Sequence, residues 1–384
     1  MRHLSVSFSP GHDEELVDFS RLSDGQKSML YLSLVLSSQS IGRAVLAGDD
    51  DTFDPDKLRP PVFTIVALEE PENSLSPHYL GRIVNALVTM AGNEDAQALI
   101  ATHAPSMLRR VNPRHIRYLR LTNERITKTT RIRLPKITDE AHKFIREAVQ
   151  AYPEIYFSRL VILGEGDSEE IVLPRILRAK GVPVDESAVT VAPLGGRHVN
   201  HFWRLLSALK IPYLTLLDLD VARHQGGWGR FKYANDQILA YHPDDVLPDD
   251  HNIPAWNSDK YRVRKYPGYI EAFENRDVFF SYPLDLDFAM LLSFPDEYGA
   301  TFNPPSEATV KAVLGNSHFD EEQYDDNERA LFRTYHKRFK LGSKPAAHID
   351  ALAQLSDEEL LNDMPESLAR LAEAVIAKLE ELPE

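Results

Sequence analysis

The stretch R-L-V-I-L-G-E-G-D-S-E-E at residues 159–170 decides the fold class of the second half of the chain. Its apolar run at 160–163 predicts one short buried strand. Gly164 and Gly166 end this run, and Glu165 lies between them. We therefore expect Glu165 in a turn at the carboxyl end of a strand, which is where ligands bind in open α/β sheets.

A helix is predicted to begin directly after this turn. Asp167 and Ser168 are suited to cap it, and Glu169 and Glu170 place acidic charge in its first turn, where the helix dipole favours it. Glu169 follows Glu165 by about one helical turn, so both carboxylates can face the same space. Two acids at such a place predict a site for a divalent cation. The alternative for Glu169 is a purely local role as a favourable charge at the helix start.

The segments that follow predict a parallel sheet. Strands are expected at 189–192 and 212–217, with helices at 167–180 and 199–210, and this β-α-β-α-β order is typical of a parallel α/β fold. A loop-rich stretch at about 222–275 is interpreted as an insertion, after which a strand at 278–282 resumes the sheet. Because parallel strands present their carboxyl ends at the same edge, their terminal residues should lie together.

Two further pairs of acids follow predicted strands. Asp218 and Asp220 come after one strand, and Asp285 and Asp287 come after the next. Residues two apart in an extended chain point to the same side, so each pair can reach one ion. With Glu165 and Glu169, these residues supply more oxygen ligands than one magnesium ion needs, which predicts two ions. For the second pair, one ligand and one helix cap is the alternative.

The glutamate after the first strand and the Asp-x-Asp after a later one resemble the marks of the TOPRIM domain, found in topoisomerases, bacterial primases and certain nucleases. Here these residues are Glu165, Asp218 and Asp220. The resemblance implies that the second half is a metal-dependent domain acting on nucleic acid phosphates.

Three motifs in the first half resemble parts of ABC-type ATPases. They are a signature loop with Ser23, Gly25 and Gln26, an apolar strand ending in Glu69 and Glu70 like a Walker B element, and a switch histidine at His103. The signature loop departs from the usual pattern, since Asp24 stands where glycine is commoner. In such enzymes the two acids bind hydrated magnesium and polarise the attacking water, and the histidine senses the γ-phosphate. Each motif alone could be a cap or a solvated turn.

The phosphate-binding loop of these ATPases does not occur in the sequence. No G-x-x-x-x-G-K-[ST] run is present in the 384 residues, so the chain lacks a phosphate cradle. It therefore resembles the C-terminal part of a longer protein or one half of a split one. We expect no measurable ATP hydrolysis from this chain alone, and ATP binding only together with the missing Walker A part.

An ABC-type ATPase followed by a TOPRIM domain resembles the OLD (overcoming lysogenisation defect) family of nucleases. The runs E-G-D-S-E-E-I-V-L-P and P-L-D-L-D-F-A-M look especially like that family. The resemblance implies a DNA endonuclease with two Mg²⁺ or Mn²⁺ ions, with Glu165 and Asp218 at the reaction centre. It also implies an essential lysine, matched by Lys344, whose charge would stabilise the scissile phosphate. Four preceding cations are expected to contact the DNA backbone: Arg333, Lys337, Arg338 and Lys340.

The expected domains are residues 1–152, the C-terminal part of the ATPase domain, and 153–384, the TOPRIM nuclease domain with a helical C-terminal region. The net charge of −15 argues against coating nucleic acid by charge alone, and the absence of cysteine excludes thiolate chemistry. No apolar run is long enough to span a bilayer, so we expect a cytoplasmic protein without a membrane partner.

The full-length protein is expected to be a homodimer, and a role in anti-phage defence follows from the family only. Two alternatives to a nuclease stay open. One is a non-catalytic dimerisation or regulatory module that binds a metal without cutting, and the other is a primase-like polymerase. Plasmid cleavage and nucleotide incorporation, respectively, would distinguish them.

Overall fold

The chain forms two compact units in this computed structural model, Met1–Asn112 and Pro113–Glu384. The structure describes residues 7–9, 15–58, 61–73, 75–122, 124–132, 152–193, 199–248 and 252–383. The first unit ends earlier than the domain boundary expected after residue 152, so that boundary stays a prediction. A helix expected at 137–151 lies outside the described residues.

The first unit has a two-stranded parallel sheet with helices packed on it. Its elements are β1 (Ser7–Phe8), β2 (Val17–Asp18), β3 (Thr64–Glu69), β4 (Ala96–Ala101), α1 (Asp24–Ala47), α2 (Pro55–Leu58), α3 (Pro77–Ala91) and α4 (Pro105–Leu108). β3 and β4 run parallel. Ile83 and Leu87, one helical turn apart on α3, pack with Val66 of β3 and Leu32 of α1. β3 confirms the apolar strand predicted to end at Glu69 and Glu70.

Helix α1 corrects one expectation. It is long enough, and apolar enough on average, to cross a membrane by length and composition. The sequence of α1 has no uninterrupted apolar run, because serine and glycine are spaced among its apolar residues. One such helix is weak evidence for a membrane span, since the core helix of a soluble protein passes the same test. In this unit α1 buries Leu32 and Val45.

The second unit is larger and mixes strands and helices. Its strands are β5 (Arg117–Leu121), β6 (Thr127–Arg131), β7 (Leu160–Gly164), β8 (Val189–Pro193), β9 (Tyr213–Asp218) and β10 (Val278–Ser281). Its helices are α5 (Asp167–Ala179), α6 (Val199–Leu209), α7 (Trp228–Tyr241), α8 (Pro267–Glu274), α9 (Leu286–Ser293), α10 (Glu307–Leu314), α11 (Asp326–Tyr335), α12 (Lys344–Leu352), α13 (Asp357–Asp363) and α14 (Glu366–Glu381). A π-helical turn, His336–Lys340, extends α11.

Four of these strands form the parallel sheet that the sequence predicted. Their order across the sheet is β10-β9-β7-β8, and all three pairings are parallel. The apolar run at 160–163 is fully buried in β7, as its continuous apolar pattern requires of a strand covered on both faces. The sheet confirms the α/β fold class, and it places β7, β9 and β10 side by side.

The stretch at 222–275 is more regular than its glycines suggested. It contains α7 and α8, and α7 buries Phe231, Ala234 and Ile238. Gly226 allows the tight turn before α7, because a Cβ atom there would lie 1.8 Å from the carbonyl oxygen of Asp220. The segment is therefore part of the core beside the sheet, and it carries two arginines into the site described next.

Candidate acidic site at the carboxyl edge of the sheet

Glu165 lies directly after β7, in the predicted turn, and links two strand ends. Its Oε1 accepts a hydrogen bond from the N–H of Asp218 at 3.0 Å, and its Oε2 pairs with Arg230 at 3.1 Å. Gly164 is required here, because an added Cβ atom would lie 2.6 Å from Cβ and Cγ of Glu169. The turn thus holds Glu165 against β9, half-buried at the edge of the sheet.

Glu169 is the third residue of α5, and its side chain reaches back to the turn before this helix. Its carboxylate accepts hydrogen bonds from the N–H groups of Gly166 (3.0 Å) and Glu165 (3.4 Å), while the expected caps Asp167 and Ser168 do not have this role: α5 begins at Asp167, after Gly166 as the cap. Burial, with the neighbouring charges of Asp287 and Glu165, raises the pKa of Glu169 to about 7. The local role is present in the structure, and its role as a metal ligand stays a prediction.

Asp218 ends β9 and is surrounded by other acids. It accepts one hydrogen bond among the described residues, from the N–H of Leu286 at 3.3 Å, and no cationic side chain pairs with it there. Burial raises its pKa well above the usual range, and the charges of Glu165, Asp285, Glu169 and Asp220 raise it further. An acid in this environment is stabilised by a proton or by a bound cation.

Asp220 lies at the site, but not in the way that the strand spacing predicted. β9 ends at Asp218, and Asp220 has a left-handed φ of 54°, so the alternation of an extended strand does not apply to it. Its two oxygens pair instead with Arg223 and Arg230, both at 2.6 Å. Burial alone would raise the pKa of Asp220, but these two guanidinium groups lower it below the usual value.

Asp285 and Asp287 both face the site, and Asp285 is also a cap. Asp285 precedes α9 and accepts a hydrogen bond from the N–H of Phe288 at 3.0 Å. Its other oxygen accepts from the hydroxyl of Tyr335 and lies 3.3 Å from Arg223. Asp287 accepts from the hydroxyl of Ser168 at 2.6 Å. Asp285 thus has the capping role of one alternative, and the ligand roles of both residues stay predictions.

Lys344 lies at the same edge, as predicted. Its ammonium is 2.6 Å from Asp287, with 42% of the side chain exposed against 2% for Asp287. Burial alone would lower the pKa of Lys344, but the charge of Asp287 raises it above its usual value, so the lysine stays charged. The ammonium of Lys344 lies in the first turn of α12, where the helix dipole disfavours positive charge. Its ion pair with Asp287 therefore accounts for its position.

The four cations proposed to contact DNA lie on α11 and the π-helical turn. Arg333, Lys337 and Lys340 are exposed, whereas Arg338 is half-buried. The ammonium of Lys340 lies 5.6 Å from the ring centre of Tyr335, whose hydroxyl donates to Asp285. At least Lys340 is thus close to the acidic site.

Sequence reasoning missed several residues that build this site: Ser168, Arg223, Arg230, Tyr335 and His348. Arg223 follows Asp220 by three residues and His348 follows Lys344 by four, so helical or turn spacing from a predicted residue was an available signal. Nothing in the local pattern indicated Arg230 or Tyr335, since Arg230 lies 10 positions after Asp220 on α7 and Tyr335 lies 50 positions after Asp285 on α11.

The acids of the site differ in how open they are to a divalent cation. Among the described residues, no three side chains converge as a formed metal site. Glu165 and Asp218 keep accessible surface, whereas Asp220, Asp285 and Asp287 are buried and are held by cationic or hydroxyl groups. Glu165 and Asp218 are therefore the acids most open to an ion, although Arg230 also pairs with Glu165, and the full set of six ligands stays a prediction.

Two of the ATPase-like residues meet in the first unit. Glu70 follows β3, and its carboxylate lies 3.5 Å from Nε2 of His103 after β4. Glu72, which the sequence analysis left unassigned, positions this loop by accepting hydrogen bonds from the hydroxyl of Thr102 (2.6 Å) and the N–H of His103 (3.2 Å). Glu69 is the exposed last residue of β3.

The signature loop forms a helix cap. The hydroxyl of Ser23 accepts from the N–H of Gln26 at 3.3 Å, and the amide oxygen of Gln26 accepts from the N–H of Ser23 at 2.9 Å. This reciprocal pair is a capping box at the start of α1. Ser23 and Gln26 thus have a structural role, while their role toward nucleotide, with that of Gly25, stays a prediction.

Comparison with known proteins identifies both parts of the chain. Residues 156–220 match the family described as "Overcoming lysogenization defect protein-like, TOPRIM domain". Residues 4–109 match the family described as "AAA domain, putative AbiEii toxin, Type IV TA system". The chain therefore combines part of an AAA-type ATPase domain with a TOPRIM domain, and this arrangement defines its class.

One curated relative of this chain is named as an endonuclease. The chain is 24% identical over 195 residues to "Endonuclease GajA" of Bacillus cereus (strain HuB5-5). The aligned region covers 45% of this chain and 28% of that protein. The chain thus spans less than a third of the length of this curated relative. Residues 156–220 thus match the TOPRIM domain of OLD-like proteins and follow a region that matches an AAA domain.

Solved structures of OLD proteins are similar over part of the chain. The C-terminal region of the Burkholderia pseudomallei OLD protein is 17% identical with a TM-score of 0.37, covering 58% of this chain and 99% of that one. The corresponding region from Xanthomonas campestris pv. campestris is 18% identical with a TM-score of 0.34, covering 59% and 99%.

Proposed function

We propose that this chain cleaves DNA phosphodiester bonds as a metal-dependent endonuclease. The observation that carries the proposal is Asp218, an acid at the end of a central strand, surrounded by four other carboxylates and paired with no cationic side chain among the described residues. A bound divalent cation would relieve this repulsion, and Mg²⁺ and Mn²⁺ prefer such oxygen ligands. The nuclease name of the Bacillus cereus relative supports the same activity.

The residues of the site have separate tasks in this proposal. Glu165 and Asp218, which keep accessible surface, would hold the cation, and the cation when bound supplies Lewis acidity and a more acidic water. Lys344 is held charged by Asp287 and partly exposed, so its ammonium can bind an oxygen of the scissile phosphate. The exposed Arg333, Lys337 and Lys340 would contact the phosphate backbone on either side.

The finer expectations from the sequence belong to the same proposal. They are a homodimer of the full-length protein, a cytoplasmic location without a membrane partner, and a role in anti-phage defence. The sequence also predicts two ions of Mg²⁺ or Mn²⁺, and that count stays a prediction. ATP would bind only with a Walker A part. A second ion at Asp220 and Asp285 would have to displace Arg223 and Arg230, which now hold these acids.

Plasmid nicking with Mn²⁺, with Mg²⁺ and with EDTA tests the proposal. Wild-type protein should nick supercoiled plasmid only with a divalent cation, and Glu165→Ala should abolish nicking. Glu170→Ala is the matched control, because Glu170 is an exposed acid in the helix that follows Glu165 and should keep full activity. Nicking retained by Glu165→Ala would reject this site. A wild-type protein that binds Mn²⁺ without cutting would favour the regulatory alternative, and nucleotide incorporation would favour a polymerase.

A further inference from the structure

Arg230 lies inside the acidic site, although it comes from α7 in the stretch first interpreted as an insertion. Its side chain is only 6% exposed. Nε and one terminal nitrogen donate to Oδ2 of Asp220 at 3.0 and 2.6 Å, and the same terminal nitrogen donates to Oε2 of Glu165 at 3.1 Å. Arg230 therefore bridges two carboxylates that sequence reasoning assigned to metal ions.

Arg223 bridges a second pair on the other side of Asp220. One of its terminal nitrogens donates to Oδ1 of Asp220 at 2.6 Å and to Oδ2 of Asp285 at 3.3 Å. The other terminal nitrogen donates to the hydroxyl of Tyr335 at 3.1 Å, and Nε donates to the carbonyl of Val313 at 3.2 Å. With all three nitrogens engaged, Arg223 is fixed in place, and both oxygens of Asp220 are occupied.

The charges and the burial of the acids divide the site into two halves. Arg223, Arg230 and Lys344 neutralise the acids on the Asp220, Asp285 and Asp287 side, where all three carboxylates are buried. On the other side, Asp218 has no cationic partner among the described residues, and Glu165, which pairs with Arg230 at 3.1 Å, keeps accessible surface with it. Separating a buried, hydrogen-bonded ion pair leaves an uncompensated charge, at a loss of about 3–5 kcal/mol. The arginines therefore compete with a second ion.

We propose that this site binds one divalent cation, on Asp218 and Glu165, and that Arg230, braced by Arg223, takes the place of a second ion. Arg230 is a positioning residue in this scheme, since it fixes Glu165 and neutralises Asp220. The inference rests on the proposed nuclease function only for its meaning in catalysis. Its content, one ion and an arginine at the second position, concerns binding and can be measured without any DNA.

Metal stoichiometry of the full chain, without nucleotide, tests the proposal. Mn²⁺ titrated into the protein and followed by calorimetry and by the electron paramagnetic resonance of free Mn²⁺ should saturate at one ion per chain. Asp218→Asn should lower the stoichiometry to zero, which locates the ion. Arg230→Met, which keeps an unbranched apolar stem but removes the charge, should raise it to two, and Arg230→Lys should return it to one.

Arg175→Met is the matched control, because Arg175 is a largely buried arginine of the same unit and pairs with Asp357. This variant should still bind one ion. Two ions per wild-type chain would overturn the proposal, even if Arg230→Met fails to fold. One ion that survives Asp218→Asn would also overturn it, as would a folded Arg230→Met that still binds one. A wild type with one ion that does not nick plasmid would reject the nuclease function and leave this inference intact.

Discussion

Asp287 is held by three side chains that reach it from two helices. Ser168 and His348 both donate to or share a proton with its Oδ1, at 2.6 and 2.9 Å, and Lys344 lies 2.6 Å from its Oδ2. His348 is fully buried, and its Nδ1 lies 2.6 Å from the hydroxyl of Tyr298. Lys344 is partly exposed. Lys344 and His348, two of the three partners of Asp287, should therefore have different roles.

Lys344→Met should lower the rate of metal-dependent plasmid nicking by about 100-fold or more, because a positioned charge near the scissile phosphate is lost. The free energy of unfolding should fall by about 1–3 kcal/mol, because the buried Asp287 keeps Ser168 and His348 as partners but loses its cation. Rates of nicking at saturating Mn²⁺ measure the first effect. Lys311→Met, which removes an exposed lysine paired with Glu307, should leave the rate unchanged, and an equal loss in both variants would contradict this role.

His348→Ala should destabilise the second unit by about 2–4 kcal/mol, because it leaves Asp287 and Tyr298 short of a buried hydrogen-bond partner. Urea unfolding followed by tryptophan fluorescence measures this effect. The probe is suitable because all three tryptophans of the chain lie in the second unit, at positions 203, 228 and 256. His318→Ala, at a less buried site bonded to Glu321, should have a smaller effect; an equal or larger one would speak against a structural role for His348.

Among the elements, α7 and the turn before it connect the sheet edge to the arginines. Asp220, Arg223 and Gly226 lie in this turn, where the N–H of Gly227 donates to the carbonyl of Leu219 at 2.7 Å. The path is tight because the chain passes directly over the backbone of Asp220. The position of Arg230 therefore depends on the backbone of this turn as well as on its own ion pairs.

Gly226→Ala should destabilise the second unit by about 1–3 kcal/mol, the usual range for forcing atoms into a packed region, and should weaken Mn²⁺ binding by moving Asp220 and Arg230. The added Cβ atom would meet the carbonyl of Asp220, which is backbone and cannot rotate away. Gly268→Ala is the control, because a Cβ atom at that position in α8 meets nothing within 4 Å. Urea unfolding should show no loss for the control, and a tolerant Gly226→Ala would mean that the turn adapts.

At the scale of the whole molecule, the acids and their cationic partners all belong to the unit Pro113–Glu384. The β5–β6 hairpin is part of this unit. Tyr118 of β5 packs against Tyr156 with ring centres 6.2 Å apart, and Arg120 donates to the carbonyl of Arg159 at 3.3 Å. The hairpin therefore supports the start of β7, although the sequence pattern placed it in the ATPase part.

A fragment of residues 113–384 should fold alone and keep metal-dependent nicking, because it contains the whole acidic site. A fragment of residues 153–384, cut at the boundary that the sequence predicted, should unfold at lower urea because it lacks the hairpin. Urea unfolding and plasmid nicking of both fragments measure these outcomes. If the full chain nicks plasmid and the 113–384 fragment is folded but inactive, the first unit is needed for cleavage.

The sequence by itself determined the sheet and the location of its acids. Continuous apolar runs encode buried strands, and the residues that follow them must lie at the sheet edge, which is why Glu165, Asp218 and Asp285 could be placed in advance. The partners of these acids were decided only by the tertiary structure. Arg230 reaches Glu165 from 65 positions along the chain, and Tyr335 reaches Asp285 from 50. Contacts over such separations depend on how whole helices pack, and no local periodicity encodes that.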